Sequence, residues 1–138
     1  MVQERIRGKV VQEKSERKGV LGSITWTVGT EAANAITVSG QALDEAGNEM
    51  TEAVAFSWYW ANDADGLTPT TVAHDGGTAA GTDGAIIEQV ANLSGIAITE
   101  ADGDIDIVAT DAGAFTTYLV GVMPDGTLSI SGAVTHAA

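Results

Sequence analysis

The amino-acid sequence predicts an all-β protein, an antiparallel β-sandwich preceded by a basic arm. Short stretches of alternating apolar and polar residues recur at intervals of about 8–12 residues, separated by turns rich in Gly, Asp and Pro. One stretch, residues 52–63, holds two of the 3 Trp and is predicted to be the central strand. A chain of 138 residues suffices for one domain plus an arm. Such a domain can bury a core without help from a metal or a disulfide.

The predicted central strand has one strongly apolar face. Val54, Phe56, Trp58 and Trp60 alternate with smaller or polar residues. Because successive side chains on a strand point to opposite faces, these four would lie together on one side. Aromatic and β-branched residues favour a pleated, half-buried surface, so we expect this face to lie in the core.

The composition excludes several kinds of site. The chain has no Cys, which rules out zinc–thiolate sites, thiol catalysis and a disulfide scaffold. The lack of Cys also fits assembly in a reducing cytoplasm. No apolar run approaches the ~20 residues that cross a bilayer, and the N-terminal segment lacks the apolar core of a secretory signal. We therefore expect no membrane partner and no export by that route.

The charges are divided between two segments of the chain. All 6 Lys and Arg lie within residues 1–18 together with three Glu, so this arm carries a formal charge of +3. The rest of the chain holds sixteen Asp and Glu and no Lys or Arg, and the net charge is −13. An acidic body repels phosphates, so we expect no nucleic-acid partner. A basic arm on such a body is typical of a tethering segment.

The arm has only a weak tendency to form a helix. Val2, Ile6 and Val10 follow helical spacing, but this apolar stripe is narrow and Gly8 weakens a helix by about 1 kcal/mol. On its own, the arm is expected to be mostly disordered, and ordering it would need a partner. A frayed terminus without a function is the alternative interpretation.

A strand is predicted after Gly19, where residues 20–28 alternate with a period of two. Residues 29–34 are predicted to be a linker, so the chain divides into an arm with a docking strand (residues 1–33) and a sandwich (residues 34–138). Trp26 could then belong to an interface, where Trp is enriched, or pack on its own domain. The residues predicted to contact a partner are Arg5, Arg7, Lys9, Lys14, Arg17, Lys18 and Trp26.

After residue 34, the predicted strands are separated by clear turn signals. Ile36, Val38 and Ala42 are expected to face inward, and a turn at 44–48 leads to the central strand. Residues 67–84 are expected to form a loop with one short strand around 71–74. Further strands are predicted at 85–93, 96–98, 105–109, 115–122 and 128–134, with turns at 62–66, 101–104, 111–113 and 124–126 and a tail at 136–138.

Two of these strands have distinctive patterns. Residues 85–93 show an irregular face pattern, which predicts a β-bulge. Residues 115–122 are apolar on both faces, as expected of a strand in the middle of a sheet.

Three acidic residues resemble the start of a calcium loop. Asp102, Asp104 and Asp106 occupy alternate positions, but an EF-hand would then need Gly at its sixth position and Glu at its twelfth. Those positions hold Ile107 and Gly113, so the EF-hand interpretation fails. Asp104 and Asp106 would share one face of a strand and could still hold a cation; a solvated face with turn caps is the alternative.

The same two interpretations apply to Asp63 and Asp65, which stand beside Gly66 in the next candidate acidic turn. We predict no cofactor and no firm metal site for this chain.

No catalytic constellation is evident. His74 and His136 are the 2 histidines of the chain, and they lie far apart, the second in the predicted tail. The sequence contains no GxSxG, Walker A or HExxH motif. The Gly-rich run at 76–81 lacks the G-x-G-x-x-G spacing. We therefore predict that the protein is not an enzyme.

Two stretches carry a family resemblance. The run ITVSGQALDEAGNEM followed by AVAFSWYW resembles the opening of bacterial Ig-like modules, in which an alternating strand leads to a D-x-x-G-N turn. The later run from TDGA through ADGDID to MPDGTL is similar to small structural proteins of tailed bacteriophages. The resemblance covers roughly residues 34–135. It implies an Ig-like β-sandwich in a virion component, assembled in the host cytoplasm, and it transfers no catalytic residues.

Two functions remain open at this point. The first is a capsid decoration or cement protein that docks through its arm on the major capsid protein or on a sister copy, as a homo-oligomer. The second is an Ig-like binding module of a phage tail or fibre, with the loop Leu67–Gly84 contacting a host-surface ligand.

Overall fold

The computed structural model describes residues 17–138, which form ten β-strands and no helix. Arg5, Arg7, Lys9 and Lys14, predicted to contact a partner, lie outside the described residues. Within residues 17–138 there is thus no helix that could cross a membrane. The strands are β1 (Leu21–Val28), β2 (Ala35–Asp44), β3 (Ala55–Ala61), β4 (Thr78–Ala80), β5 (Ala85–Val90), β6 (Ser94–Ile98), β7 (Asp104–Thr110), β8 (Phe115–Val122), β9 (Leu128–Ile130) and β10 (Val134–His136).

The strands form two antiparallel sheets. The four-stranded sheet has the order β1-β2-β7-β4, and the six-stranded sheet has the order β10-β8-β3-β6-β5, with β9 also pairing with β8. This arrangement confirms the predicted all-β sandwich. In the first sheet, β2 pairs with β7 from Ala35↔Thr110 to Gln41↔Asp104. The register places the end of β2 at Asp44 and the end of β7 at Thr110 at opposite ends of the sandwich.

The core lies between the sheets and is centred on β3, as predicted. Phe56, Trp58 and Trp60 are buried on one face, with Trp58 and Trp60 each 1% exposed. They face buried aliphatic residues of the other sheet, including Ile105 and Ile107 of β7. Burying one large apolar side chain contributes about 1.5–3 kcal/mol, so this strand anchors the sandwich. The predicted central position of β8 is also confirmed, because it pairs with β3, β9 and β10.

The expectation that residues 29–34 set β1 apart from the sandwich is wrong. Strand β1 pairs with β2 from Leu21↔Asp44 to Val28↔Val38, so residues 29–34 connect two adjacent strands. Leu21 and Ile24, each 6% exposed, belong to the core. A register shift between Leu21 and Ser23 turns both toward the inside. The predicted division at residues 33 and 34 therefore places a sandwich strand in the wrong unit.

The bulge is possible because residue 22 is a glycine. A Cβ atom on Gly22 would lie 2.8 Å from the Cα of Glu45, closer than such atoms can approach. The glycine that interrupts the alternating pattern is thus what lets the strand fit against the end of β2.

The short strand predicted around residues 71–74 is absent; β4 forms instead at Thr78–Ala80 and pairs with β7. The backbone N–H of Gly76 donates to the carbonyl of Thr110 at 2.8 Å, and Gly77 adopts φ +91°. These two glycines let the chain turn onto the edge of β7. The predicted bulge in β5 is confirmed by a register shift between Glu88 and Val90.

The last predicted strand, 128–134, is two short strands rather than one. Both pair with β8, and Ser131 lies between them, where its Oγ accepts the Leu119 N–H at 2.9 Å. This side-chain acceptor replaces a strand carbonyl and breaks the ladder. The predicted tail at 136–138 is wrong at its first residue, because His136 ends strand β10 and is 1% exposed.

Candidate functional site

The root of the arm, residues 17–19, is attached to the sandwich by charged groups. Arg17 makes a two-point ion pair with Glu45, with Nε–Oε1 at 2.8 Å and Nη2–Oε2 at 3.0 Å. The Arg17 side chain is 60% exposed and that of Glu45 is 16% exposed, and an ion pair with a solvent-exposed partner contributes little stability. Arg17 was predicted to contact a partner; in the structure it contacts its own domain. Lys18 is exposed.

Asp44 fixes the next residues of the root. Its carboxylate accepts backbone N–H groups from Gly19 at 3.0 Å, Ala46 at 3.0 Å and Asn48 at 2.9 Å. The N–H donors of Gly19 and then Asn48 lower the pKa of Asp44, because hydrogen bonds to a carboxylate favour its charged form. One side chain thus holds both the predicted 44–48 turn and the start of the described chain.

An open groove of about 640 Å³ lies at this end of the sandwich. Arg17, Glu45 and Asp125 are among the residues that line it. Acidic groups outnumber the one basic group, so the groove suits cationic rather than anionic groups.

Trp26 packs on its own domain. Its Nε1–H donates to the carbonyl of Ser129 at 3.0 Å, and its ring meets Phe56 edge-on, with centroids 6.1 Å apart. A Cβ on Gly40 would lie 2.6 Å from the indole, so the ring lies flat over a position where no side chain fits. Trp26 thereby ties β1 to the six-stranded sheet. Its contact with a partner stays a prediction, and the ring remains only half-buried.

The acidic residues considered for calcium act as local acceptors. Asp102 Oδ1 accepts the Asp104 N–H at 3.2 Å, and Asp106 Oδ2 accepts the Asp83 N–H at 3.3 Å. Burial, then repulsion from Asp102 and Asp83, raises the pKa of Asp104.

Asp63 likewise caps its own turn, with Oδ1 accepting the Thr68 N–H at 3.2 Å. Within residues 17–138, no three His, Asp or Glu side chains are grouped as a metal site would require. The hydrogen bonds of Asp63 and Asp102 are those of turn caps.

The two histidines, which the sequence placed far apart, meet in the core. His74 is 2% exposed and His136 is 1% exposed. Their ring centroids are 5.4 Å apart, at an interplanar angle of 57°. His74 also contacts the rings of Trp60 at 4.7 Å and Phe115 at 5.1 Å. The pair is thus enclosed by aromatic groups from β3 and β8.

Each imidazole makes one hydrogen bond. The Nε2 of His74 lies 3.0 Å from Thr117 Oγ1, and the Nε2 of His136 lies 3.1 Å from the carbonyl oxygen of Ala109. Since a carbonyl only accepts, His136 must carry its proton on Nε2. Within the described part of the chain, the Nδ1 atoms of both rings are buried without a hydrogen-bond partner.

The environment keeps His74 uncharged at neutral pH. Burial and the neighbouring His136 lower the pKa of His74 from 6.5 to about 4. The carboxylates of Asp111 and Asp75 act in the opposite direction without offsetting these effects. A neutral, enclosed imidazole suits a structural role, because a general base needs contact with its substrate.

The histidine pair was not predicted from the sequence, although the pattern around His136 indicates which way this residue faces. Val134 and His136 flank the exposed Thr135, so they share one face of a short alternating segment. The segment was too short and too close to the end of the sequence to stand out. Nothing in the local sequence of His74 predicts its partner, because a loop residue shows no periodicity.

No family model and no curated protein matches this sequence. The resemblance to phage structural proteins and to Ig-like modules therefore stays a prediction.

Proposed function

We propose that this chain is a structural protein of a tailed-phage virion, a capsid decoration or cement protein that docks through its N-terminal arm. The main observation behind this proposal is that all 6 Lys and Arg lie in residues 1–18, whereas the remaining body carries Asp and Glu but no Lys or Arg. Such a body stays solvated and repels its copies, whereas a cationic arm is attracted to acidic surfaces. The expected partners are the major capsid protein and sister copies.

The root of the arm supports this proposal by its placement. Residues 17–19 are held at Glu45 and Asp44, next to the 44–48 turn. The arm therefore starts from a fixed point at one end of the sandwich. The 16 residues before Arg17 can span at most about 55 Å when extended, which is enough to reach a neighbouring subunit. Repeated attachment on a symmetric shell would add up weak single contacts.

The ion pair of Arg17 reduces the number of arm residues that are available to bind a partner. Because this guanidinium is already bound to Glu45 of the same chain, we assign attachment to Arg5, Arg7, Lys9 and Lys14, with the exposed Lys18 as a secondary contact. Arg17 then holds the root of the arm on its own domain and does not contact the partner.

The experiment is co-sedimentation with empty capsids. We expect Arg5, Arg7, Lys9 and Lys14, all changed to Gln, to abolish binding, and binding of the unmodified chain to weaken as salt is raised. A matched control changes Gln3 and Gln12 of the same arm to Ala and should bind normally. Full binding by the arm with these four changes would refute this attachment, and electron microscopy of intact particles would locate the protein directly.

A second candidate function, a ligand-binding module of a tail or fibre, is favoured by one observation. Leu67 is 74% exposed and Val72 is 60% exposed, both in the loop proposed as a contact surface. His74 and Thr78 of the same loop are buried, so neither would belong to the contact surface. Glycan-array binding that is lost on changing Leu67 and Val72 to Ser, with the arm intact, would support this function over capsid attachment.

We propose no catalytic activity for the described domain. Both of its imidazoles are enclosed, and no nucleophile is poised beside them other than Thr117, which is 0% exposed. Hydrolysis of a substrate panel that is abolished by His74→Ala would overturn this proposal.

A further inference from the structure

We propose that the buried His74–His136 pair is an acid-sensitive clasp for the C-terminal strand. On protonation of His74, β10 leaves the edge of the six-stranded sheet while the rest of the sandwich stays folded. This inference does not depend on what the arm binds.

The enclosed pair has no way to accommodate a charge. Both side chains are almost fully buried, their rings are 5.4 Å apart, and the walls around them include Trp60 and Phe115. Each imidazole already uses Nε2, and each Nδ1 lacks a partner within the described residues. In a protonated His74 both ring nitrogens carry hydrogen, so Nδ1 would be a buried donor with no acceptor among the described residues, and a buried charge without a partner is costly.

The charged groups around the pair are committed elsewhere. Asp111 accepts the N–H groups of Asp75 at 3.1 Å and Gly113 at 2.8 Å, and Asp75 accepts the Ala112 N–H at 3.0 Å. Glu31 accepts the Ala137 N–H at 3.1 Å, one residue beyond the strand. Of these three carboxylates, Asp111 and Asp75 act on the pKa of His74 through their charge; Asp104 and Asp106 belong to the neighbouring strand β7. None of them hydrogen-bonds an imidazole, so none is placed to form an ion pair with a histidinium without rearrangement.

Strand β10 is the element that can yield. It has three residues and, among the described strands, pairs only with β8, through Val134↔Thr117, Thr135↔Thr116 and His136↔Phe115. Strand β8 keeps its pairing with β3 and β9 when β10 departs. Departure removes His136 from the ring of His74 and opens the space beside it, so His74 can then take up a proton. Release of β10 therefore relieves the charge at the lowest structural cost.

The size of the effect follows from proton linkage. His74 binds its proton with a pKa of about 4 in the closed state and near 6.5 once it is exposed to solvent. The open state therefore binds more protons between these values, and acid favours opening. For His74 alone, the open-to-closed ratio should rise about 30-fold between pH 8 and pH 5.

Native-state amide hydrogen exchange, corrected for intrinsic rates, tests the proposal on the full chain. We expect the opening constant of the β10 amides to rise about 30-fold from pH 8 to pH 5. At both pH values it should exceed the opening constant of the β3 amides at least tenfold. Equal opening constants for β10 and β3 would mean that β10 opens only when the whole domain unfolds, and would overturn the clasp. An opening constant of β10 that does not change with pH would also overturn it.

Two variants separate the histidines from other acid effects. His74→Leu removes the titrating group from an apolar site, and the 30-fold rise should shrink to less than about threefold. Should this variant fail to fold, His74→Gln replaces it and retains a hydrogen-bonding group for Thr117. Thr135→Ala, on the exposed face of the same strand, should keep the full rise. A rise that persists in the His74 variant would show that another group drives opening.

Discussion

The two ends of the described chain are fastened to the sandwich by opposite chemistry. At the N-terminal root, Arg17 acts through an ion pair open to solvent and Asp44 through a buried carboxylate. At the C-terminal strand, two imidazoles lie inside the core, and His74 is uncharged at neutral pH. A solvent-exposed ion pair is weakened by salt and contributes little, whereas a buried imidazole packs like a core residue and responds to pH. The comparison implies that salt weakens the attachment at the N-terminal root, whereas acid weakens the attachment of the C-terminal strand.

The largest expected effect tests the C-terminal side. His136→Ala leaves a cavity and removes a buried hydrogen bond to the Ala109 carbonyl, and should lower the free energy of unfolding by about 3–5 kcal/mol. Urea denaturation at pH 7.5 measures this. Thr135→Ala, an exposed neighbour, should change it by less than about 0.5 kcal/mol. Equal effects of the two substitutions would mean that His136 is not a core residue.

The next effect concerns pH. Because the pKa of His74 is about 4 in the fold and about 6.5 in the unfolded chain, the unfolded state binds more protons between these values. The stabilisation is complete above pH 6.5 and is lost as pH falls toward 4. The free energy of unfolding should therefore drop by about 2 kcal/mol from pH 7.5 to pH 5.

The same urea titration on His74→Leu isolates this contribution. Its drop over that range should be less than about 0.5 kcal/mol. A drop as large as that of the unmodified chain would assign the pH dependence to other groups.

A smaller effect tests what holds β1, the strand next to the charged root. Gly40→Ala would put a Cβ 2.6 Å from the Trp26 ring and 3.1 Å from Ile105 Cγ2. We expect a loss of roughly 1–2 kcal/mol, because the half-buried ring can shift outward. Gly132→Ala, whose nearest neighbour atom is 4.0 Å away, serves as the control. No loss at Gly40 would show that Trp26 does not clamp β1.

The smallest effect tests the ion pair itself. Arg17→Gln should shift Tm by less than about 2 °C, since the pair is exposed. Thermal unfolding in low and high salt measures the shift, and Lys18→Gln is the matched control. A shift of more than about 5 °C for Arg17→Gln alone would make this fastening comparable to the histidine pair.

Much of the fold could be predicted because strand periodicity shows which face is buried. Trp58 and Trp60 alternate with small residues, and their burial followed directly from that pattern. The turn at 44–48 was equally local, since Asp44 and Gly47 carry its chemistry. These features depend on residues close together in sequence.

The features that could not be predicted depend on contacts between distant segments. Gly22 breaks the alternation of residues 20–28, and only the pairing of β1 with β2 shows that it permits the bulge that turns Leu21 inward. His136 seemed to lie in a tail because its burial requires β8 and the loop around His74. Periodicity identifies a face but not what covers it, so the histidine pair was invisible before the strands were assembled.

The register of β2 has a practical consequence. This strand runs for 10 residues, from Ala35 near the Ala109 carbonyl that binds His136 to Asp44 at the root of the arm. Ten strand residues span roughly 30 Å, and that length separates the two fastenings. A polypeptide fused after Ala138 would leave from the end of the sandwich opposite the root. If residues 1–16 bind a shell as proposed, the fused polypeptide would be displayed on the outer side, and the domain could then serve for surface presentation.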